Sequence, residues 1–559
     1  MDKKSTITLP QPPRLESTEI ALNEFMNAQL PLTENLEGGL EPFGGTWDYR
    51  QAAHLIRRAM FGGRKADVDQ ALAMGLDSAV AALLDDSEML PDPPVNIFND
   101  PEDDVPLGET FVFSPYNPNY DGRRRSVTKA WWTGLMLNQS FSLREKMTLF
   151  WHNHFVTESN VVRDSRYLYK YLTLLRENAL GNFKSLVQQV TLDPAMLRYL
   201  NGNENVASAP NENYARELLE LFTIGKGPTI APGNYTNFTE QDVVEAARVL
   251  TGWRDRRFFI DAIFQNGQHD TGLKHFSNSF NSQQISNNGA NEYLDLIDMI
   301  FQQPETARFI CRKLYRWFVY YVIDETTEAN IIEPLSQIMI ANNYEVKPVL
   351  EALFQSAHFH NALTLGVQIK NPIEFTVGLF RQHEIEFPSG EDFVEQHIMW
   401  YIYVYFEAAL QQMDLGDPPN VAGWAAYYQE PQFQQLWVNS VTIPNRARFT
   451  DNISSFGLPY EGFFSYLDPI PMAMSTSNSL DPNTLIAEIA EMLLPLALTP
   501  NQLDFLKEAL IPGLPDFEWT VEWGDYLADP EDQDKLIAVS TKLRALLRTM
   551  FSLGEYHLS

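Results

Sequence analysis

The sequence predicts a mainly α protein: a large helical domain with long loop excursions and at most one small β-hairpin or sheet. Three observations predict it. Apolar residues recur at three- and four-residue spacing over most of the chain, strand-like alternation is sparse, and a 559-residue chain that is 44% hydrophobic and 12% aromatic can bury a large core. The longest apolar runs, Trp317 to Ile323 and Met492 to Leu498, fall far short of the roughly 20 residues of a membrane-spanning helix, so no membrane insertion is expected.

Residues 1–45 are polar, Pro-rich and punctuated by Gly, and read as an extended arm lying on the body or reaching for a partner. The main helical domain, 46–449, opens with a helix from Tyr49 to Met60, in which Ala52, Leu55, Ile56 and Ala59 share a face and Phe61-Gly62-Gly63 stops the pattern. Helices follow from Lys65 to Ala73 and from Asp77 to Leu84, and then an acidic, Pro-rich excursion covers 85–121. Helical spacing resumes at Arg125 to Leu137, Leu143 to Phe155, Tyr167 to Asn178, Asn182 to Leu192, Asn211 to Phe222 and Glu240 to Thr251. In the Gly- and Asn-rich insert, 254–288, the runs Phe258-Phe259-Ile260 and Ala262-Ile263-Phe264 predict a short hairpin. Further helices are predicted at Asn291 to Phe301, Pro304 to Ile323, Glu328 to Ala341, Val346 to Gln355 and Pro372 to Arg381. A C-terminal helical section, 450–559, packs on the main domain with helices at Thr484 to Leu498, Gln502 to Ala509 and Lys535 to Phe551.

The 41 Lys plus Arg against 73 Asp plus Glu give a net charge of -32, which repels phosphate backbones and predicts no nucleic-acid partner. The single cysteine, Cys311, rules out an intramolecular disulfide and a zinc-thiolate cluster. The N-terminal Met1-Asp-Lys-Lys is followed by prolines and charges where an export signal needs a continuous apolar stretch, so a cytoplasmic location is the default expectation. Phosphate-binding Gly-Lys-Ser loops, Gly-x-Ser-x-Gly elbows, His-Glu-x-x-His helices and dinucleotide fingerprints are absent from the sequence.

Four phrases stand out: Trp151-His-Asn-His-Phe155, the run from Pro210 through Asn-Glu-Asn-Tyr-Ala-Arg-Glu-Leu to Phe222, Ala247-Arg-Val-Leu-Thr-Gly-Trp253, and Pro418-Pro-Asn-Val-Ala-Gly-Trp424. With His54 to Gly62 and the pair His269-Asp270, in this order, they resemble the bacterial domain-of-unknown-function family numbered eighteen hundred, over about residues 48–559. The resemblance implies a large helical protein of undefined activity, often encoded beside a secreted protein of the alkaline phosphatase and sulfatase type, which makes such a protein a possible partner. Many relatives carry export signals, which implies an envelope location as the alternative.

Several of these residues can do chemistry. His152 and His154 form a His-x-His pair that presents two imidazoles to one metal ion where the backbone is extended. On an intact helix the two rings point nearly opposite ways, and the pair is then one core and one surface histidine. On the Asn211 to Phe222 helix, Asn213, Glu217 and Glu220 share an edge, and Arg216 lies four residues from both Glu212 and Glu220. Glu217 and Glu220 are candidates for cation ligands or a general acid/base pair, against the plainer reading of Arg216 bracing two carboxylates. His269, Asp270 and Lys274 offer a metal ligand, a carboxylate and an electrophile within six residues of a loop. Arg123 to Arg125 and Arg254 to Arg257 are candidate clamps for an anion, while Pro418 to Trp424 reads as an architectural turn.

Two functions are therefore expected. In the first, an enzyme acts on a small or anionic substrate, with Glu212, Arg216, Glu217 and Lys274 as catalytic groups and His152, His154, His269 and Asp270 around one divalent metal ion, or by acid/base chemistry alone. In the second, a non-enzymatic binding or assembly protein uses its N-terminal arm and acidic surface, and the same polar residues form a buried network that specifies the fold.

Overall fold

Helices start where the sequence places Asp, Asn or Thr ahead of an apolar stripe. The Asp48 side chain accepts from the Gln51 N–H, Asn182 from Ser185, Thr239 from Asp242, Asn371 from Glu374 and Thr499 from Gln502, each satisfying an otherwise orphaned donor. In the computed structural model, which describes residues 38–559, the chain is 56% helical, as the periodicity predicts. No helix among these residues is long and apolar enough to cross a membrane.

The early helices stand close to their predicted ends: Tyr49–Ala59, Lys65–Met74, Leu76–Leu83, Asp121–Leu137, Arg144–His154, Ser165–Glu177 and Glu240–Val249. Others differ. The helix from Pro304 stops at Phe318, and the Phe393–Trp400, Thr442–Ser455 and Asp516–Ala528 helices were not marked by a regular apolar stripe. Three helices widen into π turns, at Leu218–Thr223, Glu328–Ile332 and Tyr401–Tyr405.

Where the sequence allowed at most one hairpin, the described residues hold four two-stranded antiparallel pairs, all too short to leave a period-two signature. The insert hairpin pairs Trp253–Arg256 with Asp261–Phe264. Phe258-Phe259-Ile260 is therefore turn and not strand: Ile260 takes φ +56, and Phe258 is exposed. The remaining pairs are Thr229–Ala231 with Asn234–Tyr235, Lys274–His275 with Gln284–Ile285, and Leu458–Tyr460 with Phe463–Ser465.

One apolar core runs through the chain from Ala52 to Tyr556. The acidic excursion carries a small core of its own, in which Ile97, Val105, Phe111 and Val112 pack against Val127. It is pinned by Arg123 and Arg124, which reach Asp103 at 2.5 Å each. Most of the expected N-terminal arm lies outside the described residues, but 38–45 run along 355–358, where the Ala357 N–H donates to the Glu41 carbonyl at 2.8 Å and the Phe43 N–H to the Gln355 carbonyl at 2.8 Å.

Buried cations tie distant segments together. Arg57 donates to the Glu491 and Met492 carbonyls at 2.9 and 3.0 Å, and Arg58 to the Val319 carbonyl at 2.8 Å. Arg446 donates to the Lys370 carbonyl at 2.7 Å, and Lys370 in turn to the Tyr556 carbonyl at 2.7 Å.

Inside the Asp121–Leu137 helix, a Cβ on Gly134 would lie 2.3 Å from Cζ3 of Trp400. Helix propensity favours Ala over Gly by about 1 kcal/mol, but overpacking of this kind costs about 1–3 kcal/mol. Gly134→Ala is therefore expected to destabilise the protein by up to about 2 kcal/mol, lowering the urea midpoint. An unchanged midpoint would show that the Trp400 ring moves aside freely.

Candidate functional site

The Arg144–His154 helix continues through the His-x-His pair, so the two rings diverge. His152 is fully buried, edge-on to Trp132 at 5.2 Å and tilted against Trp424 at 6.0 Å. Neither of its ring nitrogens has a hydrogen-bond partner among the described residues, and burial pushes its pKa down to about 3. His154 lies among Phe150, Phe155 and Phe222; its Nε2 is 3.0 Å from the Phe222 carbonyl oxygen, which makes Nε2 the protonated nitrogen of the neutral ring. Burial, and then Lys313, hold its pKa well below the usual histidine value. The extended backbone that a shared metal requires is not present here.

In the insert, His269 and Lys274 meet on a residue the sequence did not single out. Glu292, at the start of the Glu292–Phe301 helix, takes His269 Nε2 at 3.0 Å on one oxygen and Lys274 Nζ at 2.6 Å on the other, and all three side chains are fully buried. Asp270 turns elsewhere: Arg248 donates to it at 2.8 Å and holds its pKa below the usual range. No local spacing connects Glu292 to the His269-Asp270 loop, which is why the sequence could not find it.

The helix carrying Glu212 to Glu220 is α over Asn213–Glu217 and π over Leu218–Thr223. Arg216 braces Glu212 at 3.1 Å as expected, but its second partner is Glu240 at 2.6 Å. Glu220, inside the π turn, pairs with Lys226 at 2.8 Å instead. Glu217 is left without a hydrogen bond or ion pair among the described residues. Burial first, and then the Glu220 charge, raise its pKa to about 7.

Separated segments come close around Tyr199, where the Glu217 charge is felt. The Tyr199 hydroxyl donates to Glu158 at 2.8 Å, and its pKa is raised by burial, by that bond, and by the charges of Glu158, Glu217 and Asp417. Asp417, just ahead of Pro418, accepts from the Ser159 hydroxyl at 2.7 Å and the Asn160 N–H at 2.8 Å, and pairs with Lys129 at 2.7 Å. Further along, Asn153 Oδ1 accepts from the Trp424 N–H at 2.9 Å. Gly423, at φ +94, makes this seat possible, since a Cβ there would lie 2.3 Å from Asn153 Oδ1. Residues Lys129, Glu158, Tyr199 and Asp417 thus join the site although no motif announced them.

The arginine clamps are consumed. Arg123 and Arg124 hold Asp100, Asp103 and Asp104, Arg125 holds Asp121, Arg256 holds Asp261 and Arg257 approaches Asp164 at 3.3 Å. Arg254 donates to the Gln268 side chain and the Asn203 carbonyl. Among the described residues no three His, Cys, Asp or Glu side chains gather as a cation site, and His154, His269 and Asp270 each face a protein partner.

Lys274→Met would leave the Glu292 carboxylate buried without its cation, a loss of about 3–5 kcal/mol. Adding Glu292→Gln should recover a large part of that loss in a denaturant double-mutant cycle. Strictly additive losses would show that the two groups do not interact.

No curated protein and no solved structure matches the chain. The family described as "Protein of unknown function (DUF1800)" matches residues 54–518, a span that contains all four phrases and the convergence around Glu217. The chain belongs to that family.

Proposed function

We propose that the protein is an enzyme that works by acid/base chemistry, without a protein-built metal centre, on the surface where Glu217 meets Glu158, Tyr199 and Asp417. One observation carries this reading: on an edge where Arg216, Glu212, Glu220, Lys226 and Glu240 are all paired, Glu217 alone is unpaired, and its pKa of about 7 lets it accept and return a proton near neutrality. The turn that follows it is π-helical, a distortion found frequently at functional sites. Lys226 and Lys129 offset Glu220 and Asp417, whereas Glu158 and Glu217 have no ion pair among the described residues, which favours a small substrate without a negative charge over the anion that the arginine clusters suggested.

The closed His269–Glu292–Lys274 cluster favours a second, structural role for the insert phrases, as parts of the scaffold and not of the chemistry.

Against a panel of neutral esters, amides and glycosides, the activity found should fall by about 10²–10⁴-fold in Glu217→Gln and stay near wild type in Glu212→Gln. Activity that survives in Glu217→Gln, or a panel on which the wild type does nothing, moves the function to the binding and assembly role. A further check is thermodynamic. Burial disfavours the Glu217 carboxylate, so its contribution to stability is greatest below the unfolded value near 4.5 and is lost as pH rises through about 7. Glu217→Gln should therefore gain stability relative to the wild type across that window, read as a pH-dependent difference in melting temperature. A difference independent of pH would place the Glu217 pKa in the ordinary carboxylate range.

A further inference from the structure

The hairpin of the insert ends in a turn that carries its apolar groups outward. Phe258 and Phe259, between the Trp253–Arg256 and Asp261–Phe264 strands, remain 78% and 61% exposed, with their rings edge-on at 4.9 Å. A chain gains by covering such rings, roughly in proportion to the apolar area removed from water, and here the turn prevents it. Ile260 is a β-branched residue at φ +56, a conformation that persists only where its surroundings impose it. They do so: the Phe259 and Ile260 N–H groups donate to the Arg256 carbonyl at 3.1 and 2.8 Å, and Lys170 Nζ donates to the Ile260 carbonyl at 2.7 Å. The two rings are held away from the body of the protein.

The charge around this tip runs against the rest of the molecule. In the whole chain 73 acidic residues outnumber 41 basic ones. Among the residues of the hairpin and those bonded directly to it, seven are basic and three acidic. Asp255 takes Arg198 at 2.7 Å, Asp261 takes Arg256, and Asp164 is shared by Arg166 at 2.8 Å and Arg257 at 3.3 Å. The other three bases meet no carboxylate among the described residues. Lys170 has the Ile260 carbonyl, Arg163 the Asn160 carbonyl, and Arg254 the Asn203 carbonyl and the Gln268 amide oxygen. The Arg256 guanidinium also lies 4.4 Å from the centre of the Phe259 ring, so cation and apolar tip form one surface.

We infer that this tip docks the protein on an anionic lipid surface, without spanning it. Phe258 and Phe259 enter the boundary between head groups and acyl chains, and the collar of Arg163, Arg254, Arg256 and Arg257 meets lipid phosphates, whose oxygens match the planar fork of a guanidinium. The tip suits a bilayer better than an acidic protein. Both rings lack the hydroxyl or indole N–H with which Tyr and Trp bond a protein surface, and an outward turn presents them to a soft boundary that closes around them. The net charge of -32 does not forbid the contact, because beyond a Debye length of about 8 Å at physiological ionic strength exposed charges are largely screened, and the groups beside the lipid decide. The inference is independent of the chemistry proposed for Glu217.

The test mixes the full chain with vesicles of phosphatidylcholine alone, or of equal parts phosphatidylcholine and phosphatidylglycerol, and reads the bound fraction by sedimentation. Binding should be saturable on the mixed vesicles, weaker by about tenfold or more on phosphatidylcholine, and reduced by added salt. The double variant Phe258→Ser, Phe259→Ser should lose about tenfold or more in affinity with an unchanged melting temperature, since both side chains are exposed. Arg163→Gln with Arg254→Gln, checked by the same melt, should weaken binding and flatten its salt dependence. No binding to the mixed vesicles, equal binding to both kinds, or full affinity in the double serine variant would overturn the inference. So would capture by an immobilised acidic peptide, lost in the double serine variant, from a protein that leaves the vesicles untouched; that result gives the tip to a protein partner.

Discussion

A guanidinium can be buried only where oxygen atoms meet its fork of N–H donors, and in this protein many of those oxygens are main-chain carbonyls of remote segments. Arg57 reaches Glu491 and Met492, Arg58 reaches Val319, Arg381 reaches Leu137 at 2.7 Å, and Arg446 reaches Lys370. Each such bond contributes about 1.5–3 kcal/mol, against a desolvation cost of several kcal/mol for the ion. The net stabilisation is small; what the bonds supply is register. A helix rotated or shifted by one residue would leave a buried cation facing apolar atoms, so alternative packings of the same apolar core are strongly penalised. Burial lowers the pKa of Arg58 and Arg446 to about 9, still above neutrality, so the anchors hold their charge in ordinary conditions.

That frame explains why residues far apart in sequence can hold one another in place around Glu217. The Asn153 carboxamide, the Gly423 backbone and the Asp417 carboxylate bring the loop before Trp424 onto the end of the Arg144–His154 helix. The same economy of charge shapes the surface. With acids far outnumbering bases, nearly every Arg and Lys near a candidate site is already engaged, and the groups left over are carboxylates. Glu217 is of that kind.

The helices were legible because their caps and apolar stripes are local, as in Tyr49–Ala59 and Pro372–Gln382. Asp516–Ala528 was not, because exposed Phe517, Val521 and Leu527 blur the stripe of Trp519, Trp523 and Tyr526, and the hairpins were too short to show alternation. Within the site, the pairing of Arg216 with Glu212 follows from four-residue spacing. The partners that decide the chemistry do not: Glu292 closes on His269 and Lys274 across a strand and a turn, and the charges of Glu217 and Asp417 meet at Tyr199 from other elements. The divergence of His152 and His154 was legible in principle, since helical geometry sets it once the helix is known to run to His154.

The π turn after Glu217 is one residue wider than an α turn, and so it has the form of a helix that has accepted a single extra residue without breaking. Everything before it, including the bracing of Glu212 by Arg216, keeps one angular frame, and everything after it is rotated by about 100 degrees. Glu217 stands just before that change of frame and Glu220 within it. Removing one residue from that turn would restore the α pitch and turn the segment from Ile224 onward by about 100 degrees relative to Glu217, so the count of residues there sets how the two ends of the phrase face one another.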